Sequence, residues 1–96
     1  MNFSFLLEAE KEFLQAVEYY NECQKDLGFD FAREVYKSID HILSFPHAWS
    51  KFSKNTRRCI TDRFPYGVIY KITHNEIIII AIMQMNKHPK HLNKRL

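Results

Sequence analysis

The sequence contains few glycines and few cysteines, two of each. With only Gly28 and Gly67, it lacks a glycine-rich loop that could cradle a nucleotide phosphate. Cys23 and Cys59 lie far apart and form no Cys-x-x-Cys spacing, so a disulfide framework or a cysteine metal site is not expected. This cysteine usage fits reduced thiols in a cytoplasm.

Long hydrophobic segments are also missing. The longest apolar run extends from Ile77 to Met83, far short of the roughly 20 residues that a membrane-spanning helix needs. Residues 1–13 turn acidic after a very short apolar stretch and lack the basic and apolar regions of a signal peptide. We therefore expect a cytoplasmic protein without a membrane segment.

The residues that are abundant indicate one compact domain. The chain has 96 residues, of which 46% are hydrophobic and 15% aromatic, enough for a single core. The formal net charge is +3, and the sequence pI is about 8.9. This mildly basic balance permits a nucleic acid or an acidic protein as partner but requires neither.

The first half of the sequence predicts one strand followed by two helices. Residues 2–6 alternate polar and apolar side chains, as in a short strand. From Leu7 the apolar residues recur every three or four positions, which predicts a helix that ends near Asp26 with Gly28 as a left-handed cap. A second helix follows and ends at Pro46. The two apolar stripes are Ala9, Phe13, Ala16, Val17 and Tyr20 in the first helix, and Ala32, Val35, Tyr36, Ile39, Ile42 and Leu43 in the second.

The second half predicts a loop and three strands. Residues 47–56 have the composition of a loop, and strands are expected at about 57–62, 66–73 and 76–84. The last of these is apolar at odd and even positions alike and rich in β-branched residues, which indicates a central strand. One turn of helix is expected after Pro89.

The element order is thus β-αα-βββ, which predicts a two-layer α+β fold with a helical hairpin packed on a small antiparallel sheet. The sheet face away from the helices is expected to be open to a partner.

A specific motif adds a family resemblance. RRCITDRFPYGVIYKI, residues 57–72, is followed by EIIIIAIM, residues 76–83, and by a basic tail that contains Pro89. The first helix is acidic and has two tyrosines near its end, Tyr19 and Tyr20. Together these features resemble the RelE/ParE superfamily of type II toxin–antitoxin toxins over nearly the whole chain. The resemblance implies one toxin domain, 1–96, in a bacterial protein that inhibits growth or stabilises plasmids and has a cognate antitoxin as partner.

The resemblance leaves the target open. RelE-like members cleave mRNA on the ribosome, and ParE-like members poison DNA gyrase. Many relatives carry His-x-x-Arg-x-Pro-x-Tyr-Trp after the last strand, where this chain has Lys87 at the arginine and His91 and Leu92 at the last two positions. Gly67 stands where RelE-type nucleases tend to place an arginine. These departures favour a ParE-like toxin without catalysis. The alternatives are a metal-independent endoribonuclease, or a degenerate member that binds an antitoxin but is not toxic.

Four residues are the candidates for catalysis under the nuclease alternative. Transfer of a phosphate to a 2′-hydroxyl needs a proton acceptor, cations on the phosphorane and an acid for the leaving oxygen. Arg63 and Lys87 could supply the positive charge, and His88 or His91 the proton transfer. The two histidines lack a third ligand nearby, so no metal or other cofactor is expected.

Five further residues are candidates for contact with a polyanion or with the antitoxin: Arg57, Arg58, Tyr66, Lys90 and Arg95. For the arginines, the alternative is a charged strand edge that prevents sheet-to-sheet aggregation. Tyr70, in the middle of its strand, is expected in the core. Trp49 and Phe52 could contact the antitoxin or cover the core.

Overall fold

A computed structural model of the chain describes residues 1–87 and 92–96 and confirms the α+β fold with a helical hairpin on a sheet. The helices are α1 (Leu7–Cys23), α2 (Leu27–Ser44) and α3 (Leu92–Arg95). The strands are β1 (Asn2–Phe5), β2 (Ser50–Ser53), β3 (Thr56–Ile60), β4 (Tyr66–Ile72) and β5 (Glu76–Gln84).

The described sheet has five strands in the order β1-β5-β4-β3-β2. Strand β1 pairs with β5 in parallel, and the other pairs are antiparallel, so the sheet is mixed and the prediction of an antiparallel sheet is corrected. Strand β5 lies between β1 and β4 and is covered on both faces. Its side chains can therefore be apolar on both faces of the sheet.

Strand β2 lies inside the segment predicted as a loop, residues 47–56, and that prediction is corrected. The strand has only four residues and sits at the edge of the sheet, with a register shift between Lys51 and Ser53. Its sequence, SKFS, has one apolar side chain, Phe52, so no alternation was visible. The element order is therefore β-αα-ββββ, followed by the short helix α3. Helix α3 confirms the turn of helix expected in the tail.

The junction of the two long helices differs from the prediction. The residue with positive φ is Asp26, at 65°, whereas Gly28 lies inside α2 and is buried. A Cβ at position 28 would lie 2.1 Å from the backbone oxygen of Val17, and the Gly28 N–H donates to Oδ1 of Asn21 at 2.7 Å. Gly28 therefore allows close packing of the two helices and is not a helix cap.

The main core lies between the helices and the sheet. The apolar stripes point into it as predicted, except that Val17, Tyr20, Ala32 and Leu43 are half-buried and Tyr36 is 47% exposed. The fully buried members with large side chains include Phe31, Ile39, Ile42, Tyr70, Ile77 and Ile79.

The opposite face of the sheet carries a second apolar cluster, which corrects the prediction of an open face. Its buried members are Ile69, Ile80, Ala81, Met83 and Leu92. Because Ile69 pairs with Ala81 and Tyr70 with Ile79, Ile80 is an extra residue in β5, a β-bulge. Helix α3 covers this cluster through Leu92.

Candidate macromolecule-binding surfaces

The two adjacent arginines of β3 belong to opposite faces of the sheet, because side chains alternate along a strand. Arg57 pairs with Tyr70 of the main core, and its Nη1 donates to the backbone oxygen of Trp49 at 2.7 Å. Arg58 pairs with Ile69 of the second cluster, and its guanidinium lies 5.5 Å from the centroid of the Phe52 ring. A single partner segment that lies on one face of the sheet therefore meets only one of the two arginines.

Arg58 occupies the space beside Gly67. A Cβ at position 67 would lie 2.9 Å from both Cγ and Cδ of Arg58. The stem of Arg58 thus lies across the glycine backbone, and a longer side chain at position 67 could not enter this space unless Arg58 moved.

Arg63 lies in the loop between β3 and β4, where it faces α2. Its Nη1 is 3.8 Å from Oδ2 of Asp30, and its guanidinium is 5.4 Å from the centroid of the Phe64 ring. Oε1 of Glu34 accepts the backbone N–H groups of Asp62 and Arg63 at 3.0 and 3.1 Å. Carboxylates of α2 thus hold the loop, and the Asp30 carboxylate partly balances the charge of Arg63.

Tyr66 and Lys87 line one cavity of about 320 Å³ between α1, β4 and β5, which we call the tyrosine cavity. The ring of Tyr66 packs against Phe31 and Tyr20, with centroids 4.9 and 6.1 Å away. Among the described residues, Arg63 is not part of the lining, which consists of Glu12, Gln15, Ala16, Tyr19, Tyr66, Ile82, Met83, Gln84 and Lys87.

Gln15, Tyr19 and Gln84 also line this cavity, although no sequence pattern predicted them as part of a site. Their signal was weak: Gln15 and Tyr19 lie on one side of α1 at a spacing of four, but neither is an apolar residue of the stripe.

Two tyrosines that line the cavity, Tyr66 and Tyr19, and the neighbouring Tyr20 have raised pKa values. Burial raises the pKa of Tyr66 and of Tyr20, and a hydrogen bond with Cys23 raises the pKa of Tyr19. A phenol with a raised pKa remains protonated at neutral pH. These side chains can therefore stack and form hydrogen bonds, but they are poor proton acceptors.

Arg95 is directed into the protein, which argues against it as a surface contact. Its side chain is only 8% exposed; Nη1 lies 2.9 Å from Oε2 of Glu12 and donates to the Ile80 oxygen at 3.1 Å. Oε1 of Glu12 accepts the Ile82 N–H at 3.1 Å. Strand β1 ends at Phe5, opposite Ile79. The ion pair therefore provides hydrogen-bond partners for backbone groups of β5 that lie beyond the end of β1, the Ile80 oxygen and the Ile82 N–H.

The remaining candidates lie elsewhere in the chain. His88, Lys90 and His91 fall outside the described residues, so their roles stay predictions. Tyr70 is fully buried, which confirms its place in the core, and Trp49 and Phe52 are half-buried against the two clusters.

Residues 1–87 and 92–96 contain no group of three histidines, cysteines or carboxylates that could hold a metal ion. Within the same ranges, no helix combines the length and the apolar composition that crossing a bilayer requires.

Comparisons with known proteins agree with this fold. The family model for the ParE toxin of the type II toxin–antitoxin system parDE matches residues 3–89. Among solved structures, a chain of the "Chromosomal ParDE TA system from P. aeruginosa" is similar, with a TM-score of 0.76 and 11% sequence identity. The match covers 88% of this chain and 95% of that chain, and at this identity it shows the fold. A search of curated proteins gave no match.

Proposed function

The chain belongs to the ParE toxin family of type II toxin–antitoxin systems, and from this premise we propose that it inhibits bacterial growth by binding a macromolecular target. The target we propose is DNA gyrase, and a cognate antitoxin neutralises the toxin in the cytoplasm. The proposed action is binding without catalysis.

The separation of Arg63 from Lys87 supports this proposal most directly. RNA cleavage needs a cation and a proton-transfer group at the same phosphate. Arg63 lies against Asp30 and Phe64, whereas Lys87 lines the tyrosine cavity. The ring contacts lead from Phe64 to Tyr20 and on to Tyr66 before they reach that cavity. The two cations therefore belong to separate surroundings.

The face of Arg58 is the surface we propose for the antitoxin. Ile60, two residues further along β3, is 49% exposed, so an apolar contact and an ion pair are available side by side. An acidic, amphipathic segment could use both, as peptide-binding surfaces commonly do. Helix α3 covers only part of this face, through Leu92 and the second cluster.

The test of the target is induction of the protein in growing bacteria, followed by gyrase assays with the purified chain. We expect DNA breaks and a damage response in cells, and loss of supercoiling activity in vitro. Rapid loss of translation with cut transcripts would instead establish the nuclease alternative. Normal growth with folded, well-expressed protein would establish the non-toxic alternative.

Variants test the nuclease alternative separately. If the chain cut RNA through Arg63 and Lys87, Arg63→Ala and Lys87→Ala would each abolish cleavage and relieve toxicity. We expect no RNA cleavage by the unaltered chain and retained toxicity in both variants. Arg33→Ala is the matched control, because Arg33 also pairs with Asp30 and is largely exposed.

The antitoxin surface is tested by Arg58→Gln, with Arg33→Gln as a control of equal charge change. We expect Arg58→Gln to weaken the complex with the antitoxin encoded beside the gene, measured by calorimetry at several salt concentrations. Equal affinity of the two variants would place the antitoxin on another surface.

A further inference from the structure

A second concavity lies at the other end of β4 from the tyrosine cavity, between the end of α2 and strands β2, β3 and β4. Its volume is about 420 Å³. We call it the basic basin; its lining residues are His47, Lys51, Lys54, Asn55, Arg57, Tyr70, Lys71 and Ile72.

Four basic residues line the basic basin, and no carboxylate is among its described lining residues. Lys51, Lys54, Arg57 and Lys71 come from β2, the β2–β3 turn, β3 and β4. The ion pairs found in residues 1–87 and 92–96 are formed by other cations.

Two of these side chains, Lys51 and Arg57, donate to neutral backbone oxygens. Nζ of Lys51 donates to the oxygen of Lys54 at 3.2 Å, and Arg57 donates to the oxygen of Trp49. Such contacts position the cations without neutralising them. Charges of one sign held close together repel one another, so a multivalent anion is a favourable ligand.

The composition of the basin favours a nucleic acid over an acidic protein as the anionic ligand. Protein interfaces have an apolar centre and are depleted in lysine. Here Tyr70 is fully buried, with its hydroxyl donated to the Pro46 oxygen at 2.6 Å, and Ile72 is only half-buried. The basin therefore lacks a pocket for an apolar anchor. Lysine, arginine and asparagine are, by contrast, the usual contacts of phosphate oxygens.

We propose that the basic basin binds the phosphodiester backbone of a nucleic acid strand and does not read its bases. The site goes beyond the proposed toxin function: Lys51 and Arg57, which pair with each other, lie on the face opposite the Arg58 surface, and the site needs neither gyrase nor antitoxin to bind. It also gives the chain a way to stay near nucleic acid while a protein occupies the other face.

The experiment measures binding of the purified chain to a fluorescently labelled single-stranded DNA of mixed sequence, about 12 nucleotides long. Anisotropy is followed over a series of salt concentrations. We expect binding at low salt that weakens steeply as salt rises. In the double variant Lys51→Gln/Lys54→Gln, the slope of log affinity against log salt should fall by about 1.4, since each phosphate contact to a single strand contributes about 0.7.

The matched control is Lys11→Gln/Lys25→Gln, which removes the same charge from exposed positions in α1 and in the α1–α2 turn. It should leave the slope unchanged, and circular dichroism should show that both double variants are folded.

Three results would overturn the inference: no binding by the unaltered chain at low salt, equal losses in both double variants, or tighter binding of an acidic peptide of matched charge than of the DNA. A chain that inhibits gyrase yet fails to bind DNA would overturn this inference alone and leave the proposed function intact.

Discussion

The two faces of the sheet are closed by covers of very different size. On one face lie α1 and α2, of 17 and 18 residues, with large aromatic side chains between them and the strands. On the other face the described cover is α3, of four residues, held by the burial of Leu92 and the ion pair between Arg95 and Glu12. One face of the sheet therefore stabilises the fold, whereas the cover of the other face can open locally.

The difference follows from helix length. A helix of four residues is not stable by itself, because nucleation costs more than its few hydrogen bonds return. Helix α3 therefore depends on its tertiary contacts, and segments with few contacts open at a lower free energy than the global unfolding free energy. The long helices bury their stripes over several turns and are expected to unfold only with the whole fold.

Truncation of one buried side chain on each face tests this difference most directly. Phe31→Ala should reduce the free energy of unfolding by about 3–5 kcal/mol, because Phe31 is fully buried and contacts three other aromatic rings within 5.4 Å. Leu92→Ala should fall at the lower end of the range of about 2–5 kcal/mol for leucine, since α3 can detach without global unfolding.

Chemical denaturation measures both losses, and hydrogen exchange checks their origin. In Leu92→Ala, faster exchange should be confined to α3 and the adjoining part of β5. An equal loss of stability in the two variants, with faster exchange throughout, would mean that the faces are not distinct.

The ion pair between Arg95 and Glu12 provides a second test of how α3 is held on its face of the sheet. Arg95→Met should cost about 1.5–3 kcal/mol, the usual range for a hydrogen bond to a charged group, because it leaves Glu12 without its cation and the Ile80 oxygen without its donor. Lys94→Met is the matched control, since Lys94 is exposed in the same short helix.

A double-mutant cycle of Arg95→Met with Glu12→Gln isolates the coupling between the two side chains. Additive effects of the two substitutions would show that Arg95 acts through its contact with Ile80 and not through Glu12.

The two glycines test how closely α1 and α2 pack on each other and how closely Arg58 packs on the opposite face of the sheet. Gly28→Ala places a methyl group 2.1 Å from a backbone oxygen of the other helix and should cost about 1–3 kcal/mol. Gly67→Ala meets only the flexible stem of Arg58 at 2.9 Å, so the arginine can move and the change should be smaller. Thermal melts of both variants provide the measurement, and a larger loss for Gly67→Ala would contradict the proposed order.

The sequence revealed the elements with strong periodicity. Both long helices and strands β4 and β5 were predictable because their apolar residues repeat at 3.6 or 2 positions or run continuously. The edge strand β2 was not, since its pairing depends on backbone groups and its four residues carry one apolar side chain.

Tertiary packing decided the features that the sequence could not reveal. The role of Gly28 depends on the distance between two helices, not on its neighbours in the sequence. Likewise, Arg95 looked like one more basic residue of the tail, and only the end of β1 explains why it points inward. The lysines of the basic basin were missed because they come from separate elements, with no local motif.

The hydroxyl of Tyr70 connects the main core to Pro46, just after the end of α2. Its removal is expected to have the smallest effect. Tyr70→Phe removes the hydrogen bond to the Pro46 oxygen and should cost about 1 kcal/mol at pH 7.

Burial raises the pKa of Tyr70 from 10.0 to about 12, so the folded protein keeps a proton that the unfolded chain releases. The stability of the unaltered protein should therefore be intact below pH 10 and fall as the pH rises toward about 12. In Tyr70→Phe this decline should be shallower, because one of the titrating groups is gone. Urea unfolding at a series of pH values measures both slopes, and equal slopes would show that Tyr70 does not contribute to the alkaline loss of stability.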